Sequence, residues 1–573
     1  MFFFAILLGI YSYIIFLLGI LGWLYQWVIV GVTIAFALLS HHVIKSSGHK
    51  VTSLLSQILE DLKTFDFRLN PLMTLFGVLL ALQALVNLIG VLGPELGFDA
   101  LWYHLTLPKL YLINHGINFI PGGLLYYSAM PKLAEMFYTA GLFFGNENIV
   151  KFIHYSFGLL TCLALYKLGR KFFNPLISLI AVVIFYSNLV VGWESTSAYI
   201  DLVRAFFEVM ALWAFVNWFE ERKKKWLILS ALMVGLAITT KLLAIGSLVI
   251  FAVLILLDLR FKMYDLGRKR LKSAISSYIL YPTSYIFIAL AVPLPWFIFS
   301  YLNTGNPVYP FFTDLYKVIP EPFSVFGFVK DVWILFTQAS DPVSFVYILF
   351  FSIILFLFLR HSGLSRISKA KTVRFRAILD AARMTKGLSV IAIYSVLAII
   401  IWYFTPRSGG GRFILPYLPA FSLLCAGLIH YVWKEVYLRR ALLAVVVAVS
   451  VFSICYRFAA NWKYIPVIVG KETKQEFLLS HLNFGFGDFY DTDGYFAKHI
   501  KSTDKVLLYG FHNLYYVDFP FVEASTVGEI RDFGKVGGIN YIAVQNGALP
   551  EMYKEWKLVY SNRKTMVNLY RKL

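Results

Sequence analysis

Apolar segments of about 20 residues, each long enough to cross a bilayer as a helix, recur along residues 1–458, and short basic clusters divide them. A chain with this pattern is confined to a bundle of transmembrane helices, because only helices or closed barrels satisfy every backbone polar group in lipid. The expected spans are 2–22, 24–43, 71–92, 147–166, 174–192, 200–219, 226–239, 242–257, 277–299, 343–359, 387–404, 413–433 and 441–458. The fold class is therefore mainly α: a polytopic membrane protein with about thirteen transmembrane helices.

Composition agrees. Of the 573 residues, 59% are hydrophobic and 15% charged, against about 45–50% and about 25% in soluble domains. The three cysteines, Cys162, Cys425 and Cys455, lie in apolar stretches. A disulfide scaffold or a cysteine-rich metal site is excluded. The net charge of +20 would suggest nucleic acid in a soluble protein, but its placement says otherwise. Lys and Arg concentrate in 45–68, 167–171, 222–225, 260–272, 360–386 and 434–440, and the last loop but one alone holds eight. The intervening loops hold seven: Lys109, Lys132, Lys241, Lys317, Lys330, Arg407 and Arg412. The positive-inside rule puts the first set, with the N-terminus, in the cytoplasm and the second set outside. The charge is a topology signal, and no nucleic-acid partner is expected. The first segment has no basic n-region and no small-residue cleavage site, so it reads as a span rather than a signal peptide.

Residues 226–258 are apolar throughout but flanked by basic clusters on both sides. Two short spans turning near Thr239, Thr240 and Lys241 keep both clusters inside.

From 460 the chain changes character. Short β-like runs appear at 505–509, 541–545, 557–560 and 566–570, with helical stretches around 472–482 and 524–533. Residues 1–459 read as a transmembrane domain and 460–573 as a small α/β domain outside the plasma membrane. Gly485-Phe-Gly487 is no dinucleotide fingerprint, since the preceding strand and third glycine are missing.

Polar residues in the outer loops mark the chemistry. The first loop, 93–146, is apolar with scattered polar groups, and it reads as interfacial helices. Asp99 stands at the head of the first, either as an N-cap or as a carboxylate placed to take a proton from a hydroxyl. Asp201, Arg204 and Glu208 share one helix face. Arg204 and Glu208 read as an internal ion pair, and Asp201, nearest the outer surface, as a site residue. In Arg407-Ser-Gly-Gly-Gly-Arg412 two arginines flank a glycine run. That is either a tight turn or a phosphate site, with N–H groups and bidentate forks aimed at an anion. Lys241 can join it. Gly305-Asn306-Pro307-Val-Tyr309-Pro310 reads first as a structural turn.

Taken in order, Phe98-Asp99 with Tyr103-His104, Tyr199-Ile-Asp201, Gly235 to Lys241, Gly305 to Pro310 and Arg412-Phe-Ile-Leu-Pro416 resemble the GT-C superfamily of polytopic glycosyltransferases. The branch most similar contains protein O-mannosyltransferases and lipid A aminoarabinose transferases. The resemblance implies transfer of a sugar, with inversion, from a polyprenyl-phosphate donor to a lipid, glycan or protein acceptor on the outer face. It implies Asp99 as general base and Arg407, Arg412 and Lys241 as ligands of the donor phosphate. His104, Lys109, Glu194, Asp201 and Tyr309 are expected to line the substrate cavity. Many relatives carry Asp-Glu where this chain has Asp99-Ala100, so Glu194 or Asp201 is the candidate second carboxylate. No cofactor or metal is expected. The alternative is a transporter or flippase of lipid-linked saccharides.

Overall fold

The computed structural model describes residues 1–46, 70–266, 271–317, 323–338, 343–361, 386–405, 407–529 and 538–573. Most of the basic loops 45–68 and 360–386 lie outside the described residues.

Each expected span coincides with a helix. Among the described residues, seven helices are long and apolar enough to cross a membrane, or eight if the bent pair Leu280–Ala291 and Leu294–Thr304 is one span. Gln26–His42, Pro175–Tyr186, Val346–Phe356 and Leu415–Tyr431 are shorter apolar helices. Helix lengths among the described residues do not by themselves establish thirteen crossings. The pair bends by 62° where Pro293, which lacks an N–H, opens the second helix. At Lys241 the helix Lys224–Thr240 stops in extended backbone, and Ile245–Leu266 follows after one 3-10 turn.

The central element is Asp201–Glu221, buried along most of its length. Glu147–Gly169, Lys224–Thr240 and Lys386–Tyr403 pack around it. Outer helices keep large apolar side chains exposed, such as Leu17, Phe287 and Phe452. In water such surface would be a liability; here it faces acyl chains.

Arg204 and Glu208 sit inside this core. Arg204 Nε lies 3.2 Å from Glu208 Oε1, and Tyr417 accepts from the guanidinium at 3.0 Å. Each buried charge thus has its partner, as apolar surroundings require.

The C-terminal region forms a five-stranded sheet in the order β2-β1-β3-β5-β4. Its strands are β1 (Val506–Tyr509), β2 (Phe521–Glu523), β3 (Tyr541–Gln545), β4 (Lys557–Asn562) and β5 (Val567–Arg571). β1 pairs in parallel with β2 and β3; β5 runs antiparallel to β3 and β4. Alternation decides what each face covers. Leu507, Ile542 and Val544 pack with Val527. Val506, Leu508, Ala543 and Leu569 share a core with Leu107, Tyr111 and Leu124 of the loop 93–146 and with Phe16 of the first helix. The sheet is therefore seated on that loop.

Polar contacts fix the seat. Lys109 Nζ donates to the carbonyls of Tyr515 and Val517 at 2.7 and 2.8 Å and to Asp518 at 2.6 Å. The Tyr515 N–H donates to Leu101 O at 3.1 Å, and the Tyr516 hydroxyl to Glu95 O at 3.0 Å. The loop carries helices Thr106–Ile113 and Leu133–Phe144. The second is buried from Leu133 to Gly141. Much of the apolarity that suggested an interfacial surface is taken up by protein contacts.

Candidate active site

Asp99 is placed by its neighbours. The buried Glu95 carboxylate accepts from the N–H of Leu96 and Gly97 at 2.9 and 2.6 Å, and from the N–H of Ala198 at 2.6 Å. One side chain thus ties the Asp99 segment to the turn that carries Tyr199 and Asp201. Lys151, buried, donates to the carbonyls of Gly90, Gly93 and Pro94 and closes the end of the preceding helix. Close approach at Gly93 needs glycine: a Cβ there would stand 2.1 Å from the Tyr464 ring. The Asp99 N–H reaches the Tyr199 hydroxyl at 3.4 Å. After Asp99 comes a π-turn, Ala100–His104, closed by Leu105 N–H to Ala100 O at 2.9 Å. Single π-turns are rare and recur at functional sites. Asp99 caps nothing with its side chain.

Its carboxylate turns instead to Arg412. Nη1 of Arg412 lies 2.7 Å from Asp99 Oδ2, and Nε lies 3.6 Å from Asp201 Oδ2. Lys241 Nζ lies 2.7 Å from Asp201 Oδ1. Four charges from four distant segments form one chain: Asp99, Arg412, Asp201, Lys241. Aromatic faces flank the cations. Arg412 stands 5.0 Å over the Tyr199 ring and Lys241 4.9 Å over Phe413. The turn that delivers Arg412 needs glycine, because Gly410 sits at φ 52 and ψ −136. Asp201 opens its helix, where the macrodipole favours an anion. The two cations keep spare donors: a guanidinium has five N–H groups and an ammonium three, and Arg412 Nε has no hydrogen-bond partner. An anion with several acceptor oxygens can bridge them.

Of the residues expected at the site, Asp99, Asp201, Lys241 and Arg412 meet. The Arg407 side chain lies outside the described residues. Glu194 is buried beneath, and neither of its carboxylate oxygens has a hydrogen-bond partner. His154 is 3.9 Å away, but its Nε2 already accepts from Leu202 N–H at 3.1 Å. Lys109 was expected to line the cavity. It fastens the C-terminal domain instead, because three oxygens of 515–518 converge on it. Tyr309 packs edge-on against Phe119.

His104 has a network of its own. Nδ1 lies 2.9 Å from Glu135 Oε1, and Lys132 Nζ lies 3.6 Å from the same oxygen. All three are buried. Burial pushes the imidazole below its ordinary pKa, against the upward pull of Glu135 and Asp99. Burial also raises the Glu135 carboxyl, but Lys132 and His104 outweigh it and hold it below the usual carboxylate range.

The sequence reading left out Glu95 and Glu135, and it quoted Tyr199 and Phe413 within motifs without giving either a role. The last two stand beside flagged charges, so an aromatic next to a candidate ion was the available signal.

A carboxylate on the first long loop is thus paired with Arg412 from a later turn, and through Asp201 with Lys241, in a helical bundle with a small sheet seated on that loop. Solved structures agree on the fold. ArnT from Cupriavidus metallidurans bound to undecaprenyl phosphate superimposes with a TM-score of 0.54 at 13% identity, covering 86% of this chain and 97% of that one. The apo form gives 0.53 with the same identity and coverage. Residues 136–299 match the family described as dolichyl-phosphate-mannose-protein mannosyltransferase. No curated protein matches by sequence.

Proposed function

We propose that this protein is a membrane glycosyltransferase that moves a sugar from a polyprenyl-phosphate donor to an acceptor hydroxyl at the outer face, with inversion. The observation that carries the reading is Arg412, held between Asp99 and Asp201 with Lys241 on the far side. The donor's phosphate is gripped by Arg412 and Lys241, with Arg407 a further candidate. Asp99, one hydrogen bond from that grip, takes the acceptor proton. The acceptor oxygen bonds to the anomeric carbon as the bond from that carbon to the phosphate oxygen breaks. The electron pair leaves on the phosphate, where the cations neutralise it. A single displacement inverts the anomeric centre.

In this reading the N-terminus is cytoplasmic, residues 460–573 lie outside, and the donor arrives through the bilayer. The likeness to a protein solved with undecaprenyl phosphate supports a polyprenyl-phosphate carrier. The mannosyltransferase match over 136–299 makes mannose the first sugar to try.

The experiment is donor cleavage. Purified protein in nanodiscs is given undecaprenyl-phosphate mannose, glucose or aminoarabinose, with water as fallback acceptor, and free sugar is measured. Release of one sugar as the inverted anomer supports the reading. A flippase would bind these lipids and carry them across proteoliposomes without breaking the sugar–phosphate bond.

A further inference from the structure

His104 differs from the other buried histidine of this region in one respect. His154 uses both ring nitrogens: Nδ1 bonds the carbonyls of Ser197 and Glu194 at 2.8 and 3.0 Å, and Nε2 accepts from Leu202 N–H. His104 uses one. Its Nδ1 faces the Glu135 carboxylate at 2.9 Å. An ionised carboxylate only accepts, so Nδ1 carries the hydrogen and Nε2 keeps a bare lone pair. No other hydrogen bond of the His104 ring is found among the described residues. The side chain is 3% exposed. Burial disfavours the charged ring and outweighs the pull of Glu135, so the imidazole is neutral at rest. Glu135 Oε2 is buried without a partner, which leaves that carboxylate able to stabilise an imidazolium.

Position links this dyad to Asp99. Asp99 leads into the π-turn that His104 ends, and the turn is closed by the Leu105 N–H on Ala100 O at 2.9 Å. The His104 ring is 6.0 Å from the Tyr199 ring, whose hydroxyl receives the Asp99 N–H and whose face carries Arg412.

We propose that His104 is a second proton-handling residue of the site, its Nε2 taking from Asp99 the proton that the acceptor hydroxyl has lost. This rests on the glycosyltransferase reading above. The acceptor O–H bond breaks and its proton bonds to an Asp99 oxygen. That proton then passes to the Nε2 lone pair, forming an imidazolium paired with Glu135, and leaves for water with the products. Asp99 is thereby an ionised carboxylate again for the next donor. Glu135 is a positioning residue: it fixes the tautomer and orients the ring.

The test is chemical rescue. Release of mannose from undecaprenyl-phosphate mannose is followed for His104→Ala with and without imidazole, and with pyrrole, which fills the same space but offers no basic nitrogen. The expected result is turnover lowered about 10–10²-fold at unchanged donor KM, restored several-fold by imidazole and not by pyrrole. Full turnover in His104→Ala, or equal rescue by both additives, overturns the proposal. Should that variant fail to fold, Glu135→Gln keeps the volume and the imidazole but loses the carboxylate. It must then lower turnover without imidazole rescue, and wild-type turnover there overturns the proposal. A wild-type protein that binds undecaprenyl phosphate but releases no sugar from any donor refutes the enzyme reading, and this inference with it.

Discussion

Arg412 Nη1 stands 2.7 Å from Asp99 Oδ2, so the acid of loop 93–146 and the cation of the turn at Arg407–Phe413 are one hydrogen-bonded unit. Each is 15% exposed. The pair is partly shielded from water, and a ligand can still reach it. A phosphate that approaches competes with Asp99 for the same guanidinium.

Arg412→Ala is expected to raise the Kd for undecaprenyl phosphate by at least about tenfold, as for losing one charge-assisted hydrogen bond of about 1.5–3 kcal/mol. Arg412→Lys should restore little of it, because an ammonium cannot reproduce the planar fork. Binding is read by native mass spectrometry or by the lipid-dependent shift in melting temperature. Wild-type affinity in the alanine variant would remove Arg412 from the donor site.

Glu95→Gln tests how the site is held. The amide replaces one of two acceptor oxygens with a donor, which then faces the N–H of Ala198 or those of Leu96 and Gly97. Stability should fall by about 1–3 kcal/mol, seen as a lower melting temperature in detergent. Donor turnover should drop with it, because Asp99 and Tyr199 lose their shared anchor. An unchanged melting temperature would show that the three N–H contacts are not holding the loops.

The orientation is tested by labelling. In a background with Cys162, Cys425 and Cys455 replaced by serine, a cysteine at Ser502 should react with an impermeant thiol reagent on intact cells. One at Ser368 should react only after lysis. The opposite pattern would put the charged chain on the wrong side for a donor in the outer leaflet.

How much of this was legible in the sequence depended on what carried the signal. Spans were readable because lipid demands long apolar helices, and β1, β3, β4 and β5 because short β-branched, Leu- and Tyr-rich runs such as 505–509 stand out in a polar tail. Strand β2, three residues long, offers no such run. Asp99, Asp201, Lys241 and Arg412 stood out as charges where charge is expensive. Their pairing did not, since the partners come from four separate loops. Lys109 looked like a site residue for the same reason, and only the fold shows that its acceptors are mostly backbone carbonyls, which no side chain in the sequence announces. Glu95 and Glu135 were silent because their partners are backbone N–H groups and a histidine 31 positions away.

The central claim is that Asp99 takes the acceptor proton beside a phosphate held by Arg412. Single-turnover transfer by Asp99→Asn, at saturating undecaprenyl-phosphate sugar, tests it most directly. Asparagine keeps the size and a hydrogen bond to Arg412 but cannot hold the proton. The account predicts wild-type donor binding with the rate of transfer lowered by at least about 10²-fold. Near-normal transfer by this variant would contradict it.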